Sequence, residues 1–354
     1  MFNQLIKDQR FSKGMKLREL SAMTGIDQTL LSRFEKGDRL PTQDQLVDLM
    51  GALQLDFKST RVEWMASKVL KLVGYNQISV EALQVAESRI EYLVKKQGKE
   101  DYPLSSEILD KLGALDELKS KWEDRPELGV SQLKRMHEFF DVEYTFESNR
   151  IEGNTLSLHE TSLVVNEGLT IGGKSMREHL EAINHQEAID FVRSLVFSEE
   201  DFSKRVLLDL HRLILKEVDS RNAGVYRSIP VRISGSDTDL PQPYMLEQLM
   251  GDYFEFYSVQ CFRLHPVILA AEMHERLVSI HPFVDGNGRT ARLIMNLILL
   301  RNGYTRANIK GNAESRMAYY KALQSVQKDA NPIPFYHLVI DEAIRSIRAH
   351  LELI

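Results

Sequence analysis

Apolar residues recur at helical spacing along almost the whole of this 354-residue chain, and Pro and Gly punctuate them. A chain patterned this way buries its apolar faces by packing helix on helix, so the expected fold class is all-α and multi-domain. One stretch breaks the pattern. GVYRSIPVRISGSDTDLPQPY alternates Val231 and Ile233 before a run of Gly, Ser, Asp and Pro, which predicts a short exposed hairpin. The length suffices for two or three domains with a sizeable core. Three regions are expected: a bundle of short helices over 1–58, a helical spacer over 59–127, and a larger helical domain over 128–354.

Composition narrows the classes. Apolar content of 43% and charged content of 27% are ordinary for a soluble globular protein. A net charge of -6 excludes a chain-wide basic field for nucleic acid, though not a local patch. The single cysteine, Cys261, excludes a disulfide framework within the chain and fits a reducing compartment. The N-terminus lacks the apolar core of a signal peptide, and no apolar run reaches the roughly 18 residues of a membrane span. A cytoplasmic protein without membrane association is expected.

The spacer carries no recognisable chemistry. Val62, Met65, Val69 and Val73, then Leu83, Ala86, Ile90 and Leu93, stand at helical spacing. Such faces suit a spacer or the surface of a homodimer.

The N-terminal stretch MKLRELSAMTGIDQTLLSRFEKGDRLPTQDQLVDLMGAL has a definite grammar. Leu17 and Leu20 point one helix inward, and Thr24-Gly25 breaks it. Asp27 can cap a second helix, packed through Leu30, Leu31 and Phe34 and ended by Lys36-Gly37, and Pro41 precedes a third. Two short helices around a glycine turn fit a helix-turn-helix. Gln28, Thr29, Ser32 and Arg33 would then face outward as base readers, with Lys36 and Arg39 near phosphates. Residues 1–40 hold eight Lys/Arg against five Asp/Glu, an excess of 8 − 5 = 3. So small an excess makes a dimer the expected DNA-binding form. The stretch resembles the Xre/lambda-repressor type of helix-turn-helix over about fifty residues. A domain of the same fold that binds protein instead stays open.

HPFVDGNGRTAR, residues 281–292, gathers more chemistry than any other stretch. A helix is expected to end at His281-Pro282, and another to start at Arg289 and stop at Asn302-Gly303. The glycines between them form a loop at a helix N-terminus, where backbone N–H groups and the helix dipole favour an anion. Arg289 and Arg292, three apart, can both meet phosphate oxygens. Asp285 is a hard oxygen ligand suited to Mg²⁺ on a polyphosphate. His281 has the ordinary pKa of a general base. Base, metal ligand, anion loop and cations together point to phosphoryl or nucleotidyl transfer. Zinc is disfavoured: the spacings of His265, His274 and His281 form no recognised ligand pair.

HPFVDGNGRTAR resembles the Fic-domain motif HPFx(D/E)GNGRxxR at every specified position, and the resemblance runs over roughly residues 130–350, through IEGNTLSLHE and GVYR. It implies an enzyme, a Mg²⁺-dependent protein adenylyltransferase that moves AMP from ATP to a Ser, Thr or Tyr hydroxyl of a target protein, itself included. His281 would be the base and Phe283 the internal anchor. Asp285 would hold Mg²⁺, Gly286, Asn287 and Gly288 would form the anion hole, and Arg289 and Arg292 would bind phosphates. Val231, in the hairpin that would dock a target by strand addition, and Tyr319 would lie near the nucleoside. SNRIEG, residues 148–153, is similar to the family's inhibitory pattern (S/T)xxxE(G/N), filled by Ser148, Glu152 and Gly153. Read alone, it is a helix end with Gly153 as its cap. By the resemblance, Glu152 would pair with Arg292 and hold the enzyme back. Three alternatives stay open: removal of AMP with a Glu152-positioned water, another nucleotide donor, and a DNA-binding regulator whose Fic domain only senses a ligand.

Overall fold

The computed structural model describes residues 2–83, 86–87, 104–126, 129–198, 200–232 and 239–354. The chain divides into two compact units, Met1–Pro103 and Leu104–Ile354. No strand occurs among the described residues. The expected hairpin is represented only by its two ends, which are irregular; Ile233 and its neighbours to 238 lie outside the described residues.

In the N-terminal unit the helices are Phe2–Ser12, Leu17–Thr24, Gln28–Lys36, Gln43–Leu53 and Phe57–Val73. Their ends follow the predicted signals. Gly25 and Gly37 take left-handed conformations as C-caps, and Asp27 accepts from the N–H groups of Thr29 and Leu30. Phe2, Ile6, Leu20, Leu31, Phe34, Leu46, Leu49 and Leu53 form the core. One ion pair is buried in it: Arg10 reaches Glu35 with Nε···Oε1 2.5 Å and Nη2···Oε2 2.8 Å, and also donates to the Met15 carbonyl at 2.7 Å.

The stretch expected to be a separate spacer is split between the units. Helix Phe57–Val73 adds Trp64 to the N-terminal core, its indole N–H donating to the Pro41 carbonyl at 3.0 Å. Val62, Met65 and Val69, the face read as suiting a spacer or dimer surface, are exposed, and Thr60 and Trp64 are buried. Ile90 and Leu93 lie outside the described residues. Helix Ser106–Glu123 belongs to the C-terminal unit, where Ile108, Leu112 and Leu115 are buried and it packs along helix Ile333–Leu351.

The C-terminal unit is built around two helices, Pro266–Ile280 and Asn287–Arg301, buried on nearly every side. That suits their apolar sequences, since a helix apolar all round must be covered all round. Helices Val130–Ile151, Met176–Val196, Lys204–Leu215, Leu246–Gln260, Ala313–Asp329 and Ile333–Leu351 pack about this pair or on its neighbours. The turn between the central helices is where HPFVDG falls.

Breaking a buried ion pair from one side typically costs about 3–5 kcal/mol, because the other charge is left uncompensated. Glu35→Ala should therefore lower the stability of the N-terminal unit by that order. The measurement is urea unfolding followed by Trp64 fluorescence in a Trp122→Phe background, which removes the second of the two tryptophans. An unchanged midpoint would show that the pair is not needed.

Candidate active site

Helix Pro266–Ile280 ends at His281, which takes φ 51°, ψ 58°, a left-handed conformation that turns the chain sharply. The next helix starts at Asn287, two residues earlier than the sequence suggested, capped by Gly286 at φ 78°. A Cβ on Gly286 would stand 3.2 Å from Ile214 and 3.3 Å from His211, so both dihedral and space call for glycine.

The turn is held from inside. Phe283 is fully buried and stacks on His211 with ring centroids 3.6 Å apart. Gly224 N–H donates to His211 Nδ1 at 2.9 Å, which leaves Nε2–H to donate to the Asp285 carbonyl at 2.9 Å. Burial holds His211 down at about 4, so it stays neutral in this role. The Asn287 side chain closes the loop, accepting from Phe283 N–H at 3.0 Å and donating to Phe283 C=O at 2.9 Å. Both ends of that amide are engaged by the Phe283 backbone, which fixes the side chain in place.

The charged residues converge around this loop. Burial lowers the pKa of His281, and Arg227 pushes the same way, against the opposing influence of the Val278 carbonyl, Glu152 and Asp285. Its Nδ1 lies 3.2 Å from the Val278 carbonyl, so the proton belongs there and Nε2 keeps a free lone pair. Asp285 works against its own burial, but Arg289, the Gly286 N–H and Arg177 together hold its carboxyl below the usual range. Arg177, which is exposed, donates to its Oδ2 at 2.8 Å, and Arg289 to its Oδ1 at 3.3 Å. A single carboxylate at the mouth of an anion loop fits a hard cation that takes its other ligands from water and phosphate.

Arg289 and Arg292 are buried, at 2% and 1% exposure, yet Nε and Nη1 of Arg289 and Nη1 of Arg292 make no hydrogen bond within the protein, Glu181 Oε1 standing off at 3.7 Å from Arg289 Nη1. Two cations with donors to spare beside a helix N-terminus make a receptor for a multiply charged anion. Glu152, at the end of helix Val130–Ile151, meets this group. Its Oε1 accepts from Arg292 Nη2 at 2.7 Å, while Ser148 accepts from Arg292 Nε through its hydroxyl at 3.0 Å and from Nη2 through its carbonyl at 2.9 Å. Gly288 makes room: a Cβ there would lie 2.5 Å from Glu152 Oε1. Burial opposes the charge of Arg292, but Glu152 beside it outweighs that and raises its pKa. Gly153 then turns the chain with φ 97°.

Tyr319 lies in the helix Ala313–Asp329. It is buried, its hydroxyl lies 3.1 Å from His274 Nε2, and the Arg292 guanidinium sits over its ring at 6.0 Å. Tyr320, half-exposed, donates to the Ile151 carbonyl at 3.1 Å beside Glu152. Val231 is half-buried near the irregular stretch. Sequence reasoning missed His211, Arg177 and Arg227. Only Arg227 carried a signal, as the last residue of GVYR.

The Fic/DOC family model matches residues 201–299, and a helix-turn-helix model matches residues 6–58. The C-terminal unit carries a Fic/DOC domain. The chain is 36% identical over 250 residues to protein adenylyltransferase Fic of Nematostella vectensis, covering 70% of this chain and 56% of that protein. It is 33% identical over 287 residues to protein adenylyltransferase fic-1 of Caenorhabditis elegans, covering 79% and 54%. The chain thus spans about half the length of these curated relatives. Among solved structures, Fic-1 (residues 134–508) of C. elegans superposes with a TM-score of 0.63 at 27% identity, covering 99% of this chain and 98% of that one. A Fic domain containing signaling protein of Bacteroides thetaiotaomicron gives a TM-score of 0.63 at 29% identity, covering 68% and 97%. In the N-terminal helix-turn-helix domain, Gln28, Thr29, Arg33, Lys36 and Arg39 are exposed and Ser32 is half-buried.

Losing the Asn287 amide would strand the buried N–H and C=O of Phe283, each at about 1–3 kcal/mol. Asn287→Ala should lower the melting temperature of the Fic unit by several degrees, at about 2–4 °C per kcal/mol for a unit of this size. Calorimetry of the full chain checks this, and an unshifted transition would show that the clamp contributes nothing.

Proposed function

We propose that the chain is a protein adenylyltransferase that moves AMP from ATP to a Ser, Thr or Tyr hydroxyl of a protein, itself included, and that Glu152 restrains it. The observation that carries this reading is the Glu152–Arg292 contact at 2.7 Å, seated over Gly288 among buried guanidinium nitrogens that make no hydrogen bond within the protein. A carboxylate at that point occupies the charge that a terminal phosphate would use and repels the triphosphate.

With Glu152 withdrawn, Arg289, Arg292 and the N–H groups of the Gly286–Gly288 loop bind the phosphates. Asp285 would hold Mg²⁺, which would supply positive charge against the polyphosphate. Displacing Arg177 frees the Asp285 Oδ2 for that use. His281 Nε2 takes the proton from the target hydroxyl. The oxygen bonds to the α-phosphorus, the bond to the β-phosphate bridge breaks, and pyrophosphate leaves. In removal of AMP, a water positioned by the same Glu152 would attack the phosphorus, the bond to the target oxygen would break, and His281 would return a proton to that oxygen.

For the helix-turn-helix domain we propose DNA binding, supported by the exposure of Gln28, Thr29 and Arg33 at the start of helix Gln28–Lys36. Binding of the full chain to duplex DNA should weaken as salt rises, log affinity falling linearly with log salt. A salt-independent signal, or none at low salt, would remove this role.

The enzymatic reading is tested with ATP labelled at the α-phosphate. Glu152→Gly should label protein more than wild type, and adding His281→Ala should reduce that labelling by about 10²–10⁴-fold. Because burial lowers the pKa of His281, its neutral form persists below the usual value near 6.5. The rate should therefore hold through pH 6.5 and fall only as pH drops through the lowered value. Label at the γ- but not the α-position, or labelling indifferent to His281, would overturn the reading.

A further inference from the structure

We propose that Arg227 is a positioning residue that registers the chain around Val231 against the His281 turn, and so sets where a target hydroxyl meets the base. This rests on His281 acting as described above.

The Arg227 side chain is buried, and its guanidinium donates to three backbone carbonyls. Nε reaches His281 O at 2.8 Å, Nη1 reaches Ile229 O at 3.1 Å, and Nη2 reaches Pro241 O at 2.6 Å. The Arg227 N–H donates to Pro282 O at 2.8 Å. One residue thus ties both peptides of the catalytic turn to a point on each side of Val231. Among the described residues no carboxylate pairs with it, and burial lowers its pKa.

That is an expensive way to fill space. A buried cation without an anion costs more than an apolar side chain of the same volume. What the guanidinium supplies instead is geometry. Its rigid planar fork sends donors in several directions at once, which a lysine cannot do. His281 needs such support, because a non-glycine residue in the left-handed region persists only where its surroundings over-determine it. Arg227 holds the carbonyls of His281 and Pro282 together. A protein segment laid beside Val231 would then present its hydroxyl to Nε2 at a distance fixed by these bonds. The guanidinium's hydrogen bonds go to His281, Ile229 and Pro241 and not to the Gly286–Gly288 loop, so its removal takes no donor from the proposed phosphate site.

The experiment uses the full chain in the Glu152→Gly background with Arg227→Lys and Arg227→Gln. Three quantities are read: ATP affinity by calorimetry, kcat and KM for label transfer, and amide hydrogen exchange at residues 226–232, 239–242 and 281–283. The expected result is ATP affinity within about twofold of the parent, since no phosphate donor moves, and kcat lower by roughly 10- to 100-fold in both variants. Exchange should rise together at the Ile229 side, the Pro241 side and the His281 turn. A lysine variant with parental kcat would overturn the proposal, as would exchange rising at one segment alone, or ATP affinity collapsing with kcat. If the Glu152→Gly parent transfers no label, the adenylyltransferase reading fails by itself. The exchange pattern still decides whether Arg227 joins the three segments.

Discussion

A guanidinium buried to 1% exposure is the constraint around which this site is arranged. Arg292 cannot give up its proton, so the protein must answer its charge in place. Ser148 takes one edge of the group through its hydroxyl and carbonyl, and Glu152 supplies the negative charge. The same cation, with Arg289 beside it, is what a polyphosphate would need. Restraint and substrate binding are therefore two uses of one charge in the proposed reaction. Taking Glu152 away leaves Arg292 poorly compensated until an anion arrives, which makes the emptied pocket more receptive to phosphate as well as less obstructed. This explains why a restraint can be placed at no distance from the chemistry and yet leave the binding machinery intact.

The loop that would meet the phosphates is rigid before any ligand comes. Phe283 and His211 stack beneath it, Asn287 clasps both polar atoms of the Phe283 backbone, and His211 bridges the Gly224 N–H to the Asp285 carbonyl. The Asn287 and Gly224 bonds are buried and the one to the Asp285 carbonyl is partly so, where an unmade hydrogen bond is costly. An anion binding to N–H groups fixed in this way has little ordering to impose, and electrostatic stabilisation by pre-set dipoles is the larger part of such catalysis.

What the sequence disclosed follows how far apart the chemistry lies along the chain. His281, Asp285, the glycines and the two arginines fall within twelve residues, so helix-stop and helix-start signals were enough to place them around one loop. The Glu152–Arg292 pair spans 140 residues and was legible only through resemblance. His211, Arg177 and Arg227 reach the site from separate elements, and no local periodicity marks them. Tyr319 and Tyr320 are adjacent in the sequence but meet different partners. Neighbours on a helix point about 100° apart, and that step separates a buried hydroxyl engaged by His274 from one at the surface beside Ile151. For helix Phe57–Val73, amphipathicity named an apolar face that the structure leaves exposed, because Trp64 outweighs Val62 and Met65 in the area it can bury and also finds a partner for its N–H.

The helix that carries Glu152 is itself unusual in what it buries. Asp141, Thr145, Ser148 and Asn149 are all nearly inaccessible beside Val142, Tyr144 and Ile151, so its inward face mixes polar with apolar groups. Thr145 meets His185, and Asn149 donates to the Glu181 carbonyl at 3.3 Å, but Asn149 Oδ1, His185 Nε2 and the Tyr144 hydroxyl have no protein partner. An apolar seam would hold this helix through area alone and would resist any shift of its end. A polar seam with bonds to spare holds it through specific contacts that water can replace. Where such contacts are exchanged for water, the end of the helix can leave Arg292 at lower cost, and in the proposed reaction the carboxylate at that end is the group that would give way to a triphosphate.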